Sequence, residues 1–310
     1  MIRRFVCAAV IAAVAVACTD PTPQERFTAS MRRTWDGSFT YELTVEADRE
    51  ALDSLGGSAI DAGAFLDGFA VRGIRDGAAV SLGVVAFGID VLEIRRVDEA
   101  LYLRIAAQEL AALAGSNLAS PDVLASRLRA AGVGDAIIDV LIAAIAGDWI
   151  GIEGELSVAD LAAAIGATAS PSDEASDGVL DGGLEGFIER YVVVDAATTA
   201  EGSTRYDLDL RFRDLLEAGA ALDPTDVGVP MDDAPEIVPA EASVHDGLVT
   251  ELSVDLAETT RLAGGDATGS VVLLVSLDDH GAAPAITVPE VSATATAGEL
   301  LAAMRAVAAM

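Results

Sequence analysis

Residues 206–213 read Tyr-Asp-Leu-Asp-Leu-Arg-Phe-Arg. Tyr206, Leu208, Leu210 and Phe212 alternate with Asp207, Asp209, Arg211 and Arg213 without a break. Successive side chains of a strand point to opposite faces, so this stretch sorts its apolar groups to one side and its charges to the other. The pattern predicts a strand with one face on a core and one in water. That is an antiparallel habit, because strands of a parallel sheet are covered on both faces and read as apolar runs.

The same period recurs outward from this stretch. Tyr41, Leu43 and Val45 alternate with Glu42, Thr44 and Glu46. Phe69–Ile74 leads through Asp76-Gly77, a hairpin signal, into Val80–Phe87, and Val91–Val97 and Leu101–Ile105 flank Asp98-Glu99. Further strands are expected at Phe187–Asp195, Val238–Val244, Leu248–Leu256, Val271–Leu277 and Ile286–Val288, with turns at His245-Asp246-Gly247 and Asp279-His280-Gly281.

Helical spacing appears in between. Ser120-Pro121-Asp122 caps a helix carrying Leu124 and Leu128. Ile137, Ile138, Leu141, Ile142 and Ile145 then recur opposite Asp135 and Asp139, and Gly147 closes that helix. Capping-box patterns stand at Ser157–Asp160, before Leu161 and Ile165, and at Thr296–Glu299, before Leu300, Leu301, Met304 and Val307. Gly166–Gly183 and Asp223–Glu236 read as solvated loops. Hairpins dominate and no strand–helix–strand alternation is visible. The order predicts one α+β domain over residues 36–310, a large antiparallel sheet with helices on one face.

The N-terminus carries an address. Met1-Ile2-Arg3-Arg4 is a positive start, and Phe5–Ala17 is an uncharged apolar run of signal-peptide length, too short to span a bilayer. Ala15-Val16-Ala17-Cys18 resembles the lipobox of bacterial lipoproteins. That resemblance implies a signal peptide over residues 1–17, removal before Cys18 and acylation of its thiol. The alternative is an ordinary secretory signal cut near Ala17. The lipobox reading makes the chain exported and lipid-anchored on the outer face of the cell membrane or in the envelope. Residues 18–35 then form a lipidated tether, with Thr19–Glu25 polar and Pro-bearing.

Composition removes several functions. The chain has 310 residues, 19 Arg, no Lys and 50 acids, a formal charge of −31. Nucleic-acid binding needs clustered cations and is excluded. Chemistry that requires Lys, such as a Schiff base or a phosphate-binding P-loop, has no residue to perform it. The two Cys, Cys7 and Cys18, fall in the signal and at the anchor, which leaves no disulfide or thiolate site. His245 and His280 sit beside acids in turns, which suits local hydrogen bonding better than a metal site. Asp223, Asp226, Asp232 and Asp233 lack the spacing of a calcium loop. No nucleophile elbow is present. Paired carboxylates are abundant, but only 5% of residues are aromatic, few for a sugar platform. Neither a cofactor nor a metal is expected, and the reading is non-enzymatic.

Taken together, the layout resembles the LppX/LprG group of actinobacterial surface lipoproteins, which share a fold with the LolA and LolB carriers. The pieces that carry the resemblance are the Cys18 lipobox, Phe39–Val45, Val97–Arg104, and Ser276–Gly281 followed by Ile286–Pro289 as a closing hairpin. The resemblance implies a strongly curved antiparallel sheet, a half-barrel, with helices on its concave face. It also implies an apolar cavity that holds the acyl chains of a lipid or glycolipid. In this sequence the candidate cavity residues are Tyr206, Leu208, Leu210, Leu252 and Val254 from the sheet, met by Ile137, Leu141 and Ile145 from a helix. The competing reading is an envelope scaffold whose partner is another protein and whose core is filled.

Overall fold

The computed structural model of the chain describes residues 21–48, 51, 68–98, 100–113, 115, 118–130, 132–154, 183–215, 235–262 and 269–301. The described strands are β1 (Phe39–Ala47), β2 (Ala70–Asp76), β3 (Ala79–Ala86), β4 (Ile89–Val97), β5 (Ala100–Ile105), β6 (Ile150–Glu153), β7 (Val192–Ala200), β8 (Ser203–Leu210), β9 (Val238–His245), β10 (Leu248–Asp255), β11 (Val271–Asp278) and β12 (Ala293–Thr296), of which β6 and β12 were not expected from the sequence. The described helices are α1 (Pro23–Asp36), α2 (Ala107–Leu113), α3 (Pro121–Ala130), α4 (Asp135–Ala146), α5 (Gly183–Tyr191) and α6 (Leu256–Leu262).

All twelve strands form one sheet, in the order β12-β6-β5-β4-β3-β2-β1-β11-β10-β9-β8-β7. Every neighbouring pair is antiparallel except β12 with β6, which run parallel. The sheet ends on β7 and β12, so it is open and not a closed barrel. Glu201-Gly202 and Asp246-Gly247 turn their hairpins with positive φ at both residues, the pattern whose twist matches the flanking strands.

Register places the apolar groups on one face. Tyr206 stands opposite Ala242, Ala242 opposite Leu252, Leu252 opposite Val275, and Val275 opposite Leu43. The row continues through Val71, Val84 and Leu92 to Ile105. Directly opposed residues share a face, so a single apolar row crosses from β8 to β5. The alternate positions, among them Glu42, Arg72, Glu93, Arg104, Asp207 and Glu241, belong to the other face. Arg72 pairs there with Asp90 at 2.6 Å, and Glu93 sits between Arg95 at 2.7 Å and Arg104 at 2.8 Å.

The helices cover the apolar face in two groups. At one end α1 and α5 close a core of Phe27, Ile188, Tyr206, Leu208, Ala242 and Val249. At the other, α4 packs Val140 and Ala143 on Ile150, Ile152 and Ala295, and α3 stacks Leu128 on Ile138 of α4. Gly147 ends α4 in the left-handed region at φ 74°.

Several expectations change. The tether expected over residues 18–35 is helical from Pro23 onward. Thr22 caps α1 by accepting from the Glu25 N–H at 3.2 Å, and the Glu25 carboxylate accepts from the Thr22 N–H at 2.7 Å. Phe27 and Thr34 on the same helix face are buried. Phe187–Tyr191 is the last part of α5 and not the start of a strand. Phe187, Ile188 and Tyr191 follow helical spacing, and β7 begins only at Val192. Phe212 lies beyond β8, which ends at Leu210.

The expected strand Ile286–Val288, and with it the closing hairpin, is irregular chain. Pro284 and Pro289 flank it, and neither can donate to a ladder. The Arg95 guanidinium holds the Thr287 carbonyl at 3.2 Å instead, and Val288 is 58% exposed. Residues 1–20 with Cys18, residues 157–165, 166–182 and 223–234, and Met304 and Val307 lie outside the described residues.

A candidate ligand cavity under two helices

Three contacts fix α1 over the sheet. The Phe27 ring lies 5.3 Å from that of Tyr206. The Thr34 hydroxyl accepts from the buried Val249 N–H at 2.9 Å and donates to the Ser30 carbonyl, also at 2.9 Å. The first of these bonds serves a backbone group freed where the β9–β10 register shifts between Val249 and Glu251. Third, the Gln24 amide donates to the Val192 carbonyl at 3.3 Å and accepts from the Val194 N–H at 2.8 Å. A side-chain amide thus stands in for a neighbouring strand on the open edge of β7. Beside α1, helix α5 stacks Phe187 on Tyr191 at 5.2 Å and buries Ile188.

Beneath these helices lies a cavity of about 220 Å³. Phe27 and Met31 of α1 roof it, with Phe187 and Ile188 of α5. Val192, Leu208, Leu210, Ala240, Leu252, Val254, Leu273 and Val275 form its floor. Glu241 and Ser253 also border it, but strand alternation sends their side chains to the opposite face. The interior is hydrocarbon throughout. An engineered protein cavity of roughly 150 Å³ with such a lining stays dry and takes up benzene. The space therefore suits a hydrocarbon segment and repels water.

The apolar face continues past the cavity. Tyr41, Leu43, Val45, Val71, Leu82, Val84, Leu92 and Ile94 are all only half-buried. Among the described helices none packs extensively on β1, β2 or β3. Tyr41 lies across the middle of this strip. Its hydroxyl donates to the Ser81 carbonyl at 3.2 Å, and burial pushes its phenol pKa up. Gly73, opposite Tyr41, leaves the room it needs, since a Cβ there would stand 2.5 Å from the Tyr41 hydroxyl.

Of the residues expected from the sequence, Leu208, Leu210, Leu252 and Val254 border the cavity together. Tyr206 is buried beside it against Phe27. Ile137, Leu141 and Ile145 lie on α4, which packs on β5, β6 and β12. Strands β4, β3, β2 and β1 separate that end from the cavity floor, roughly 24 Å of sheet at about 4.8 Å per strand step. The roof residues Phe27, Met31, Phe187 and Ile188 were not expected from the sequence. Their signals are the spacing of Phe27, Met31 and Thr34 after a capping box, and of Phe187, Ile188 and Tyr191.

The two histidines are apart. The His245 ring is exposed, with its Nε2 3.5 Å from the Asp246 carboxylate. His280 packs 6.2 Å from the Phe39 ring, and its Nε2 is buried without a hydrogen-bond partner among the described residues. Among the described residues no cluster of His, Cys, Asp or Glu is arranged to hold a metal ion, and no helix is long and apolar enough to cross a membrane.

No protein-family model matches the chain, and no curated protein matches it. Among solved structures, the chain is similar to the Mycobacterium tuberculosis lipoprotein LppX, at 10% identity and a TM-score of 0.35, over 87% of this chain and 100% of that one. It is likewise similar to LprF from Mycobacterium bovis, at 11% identity and a TM-score of 0.35, over 88% of this chain and 99% of that one.

Proposed function

We propose that the protein is an exported lipoprotein, anchored through acylated Cys18, that binds a hydrophobic ligand and performs no catalysis. The observation that carries this reading is the 220 Å³ hydrocarbon-lined cavity opening onto a sheet face whose aliphatic groups are only half-covered. A globular core is ordinarily packed to the density of an organic crystal, so an apolar void next to unfilled apolar surface is the mark of a site that expects an occupant. The cavity alone matches a short stretch of chain. A whole acyl chain would extend along the strip over β1–β4. The ligand class is therefore an acyl lipid or glycolipid.

Purification of the full chain from its native envelope, followed by extraction and native mass spectrometry, tests this. A bound acyl species at near one per chain is the expected result. A ligand-free protein that also fails to take up octanol would sink the carrier reading and leave the envelope scaffold. The anchor has a separate test. Cys18→Ala is expected to release the protein from membranes, and continued membrane association would remove the lipobox reading.

A further inference from the structure

A second hollow, of about 290 Å³, lies along the flank of α1 and is bordered by Arg26, Ser30, Arg33, Thr204, Tyr206 and Asp246. Arg26 and Arg33 are two helical turns apart, so both guanidinium groups reach the same flank, while Phe27 and Met31 occupy the underside over the cavity. Neither arginine has an ion-pair partner within 4 Å among the described residues. The one acid on the hollow, Asp246, lies beside His245 instead. In a chain with formal charge −31, two cations on one cleft with no ion-pair partner among the described residues are a local reversal of sign. Arg33 lies close to the turn: a Cβ on Gly247 would stand 2.5 Å from the Arg33 Nη1.

The cleft and the cavity share a wall. Tyr206 borders the cleft and packs on Phe27, which roofs the cavity. Leu208, the next residue of β8 on that face, forms the cavity floor. Two residues along a strand span roughly 7 Å, about the distance from the first carbons of an acyl chain to the far side of a phosphate group. A guanidinium fork recognises phosphate or carboxylate oxygens by paired charge-assisted hydrogen bonds, and neighbouring hydroxyls can add to them.

We infer that the cleft of Arg26 and Arg33 binds the anionic headgroup of the amphiphile whose hydrocarbon enters the adjoining cavity. The ligand is then an acyl lipid with a phosphate-ester headgroup, or a comparable acidic lipid. This rests on the carrier reading above.

The test compares octyl phosphate, octanol and inorganic phosphate by calorimetry on the full chain carrying Cys18→Ala, which needs no detergent. Octyl phosphate is expected to bind at least tenfold more tightly than octanol, with the advantage shrinking as salt rises. In the Arg26→Gln/Arg33→Gln double variant that advantage disappears while octanol affinity is unchanged, which also shows that the variant is folded. A double variant that keeps the preference for octyl phosphate overturns the headgroup site. Inorganic phosphate binding as tightly as octyl phosphate overturns it too, and assigns the cleft to the free ion. Wild-type protein that ignores octanol but binds octyl phosphate through the arginines sinks the cavity and leaves the cleft. Protein that binds none of the three sinks both.

Discussion

Substitution of Ala240 by Leu places a larger side chain into the cavity floor, between Leu208 and Val254. Leucine adds three carbons, at about 0.8 kcal/mol each when fully buried, or roughly 2.4 kcal/mol. Ordering the new side chain returns about 0.5–1 kcal/mol. The net gain is about 1.5–2 kcal/mol, a rise in Tm of roughly 3–8 °C for a domain of this size. Differential scanning calorimetry on ligand-stripped protein checks the sign, because bound ligand would itself raise Tm. Octanol affinity should fall in the same variant. The reasoning is refuted if Ala240→Leu lowers stability by the 1–3 kcal/mol typical of overpacking and leaves octanol binding untouched. That outcome would mean a filled core.

Thr34→Val keeps the shape of the side chain but orphans the buried Val249 N–H, and should cost about 1–3 kcal/mol in urea unfolding, whereas Thr34→Ser should recover most of it. Tyr41 is held neutral by burial, so its folded pKa lies above the ordinary 10.0. The stability this contributes is fully present below pH 10 and lost as pH rises through the raised value; Tyr41→Phe should flatten that alkaline step, and an unchanged step would locate it elsewhere. Glu25 has the opposite sign. The Thr22 N–H and hydroxyl hold its carboxyl below the ordinary 4.5, so its contribution is present above that value and lost as pH falls through the folded one. Amide exchange at the start of α1 should quicken in acid, and Glu25→Ala should abolish that acid dependence.

Strand identity was legible wherever one face meets water, because alternation there is a direct record of two environments. Tyr206–Leu210 and Tyr41–Val45 show this. α4 was legible from its isoleucine spacing and Gly147. α5 was hidden because Tyr191 runs straight into the Val192–Val194 run, so that one apolar stretch serves two elements with different periods. α1 was hidden by its neighbours, since prolines and charges after a lipobox-like stretch resemble a linker until Phe27 and Thr34 are seen to be buried. β6 and β12 are four residues each, below the length at which periodicity speaks, and their parallel pairing joins segments far apart in the chain. The strand half of the cavity was readable by face. Its helix half was assigned to α4 because that helix is the more apolar, whereas α1 and α5 form the roof. Which helix lies over which strands is decided by topology and leaves no trace in local pattern.

The middle of the sheet carries one last consequence, and it concerns time. β1 pairs on one side with β2, but its other edge waits for residues 271–278 of β11. For a chain that emerges N-terminus first, from a ribosome or a translocation channel, β1–β5 and β7–β10 can pair as they appear, but the seam of β1 with β11 cannot close until β11 is out. Pairing of such high sequence separation is slow, because the loop entropy must be overcome before any contact rewards it. The molecule is thus built to remain two unfinished halves, and threadable, until nearly its whole length has been delivered.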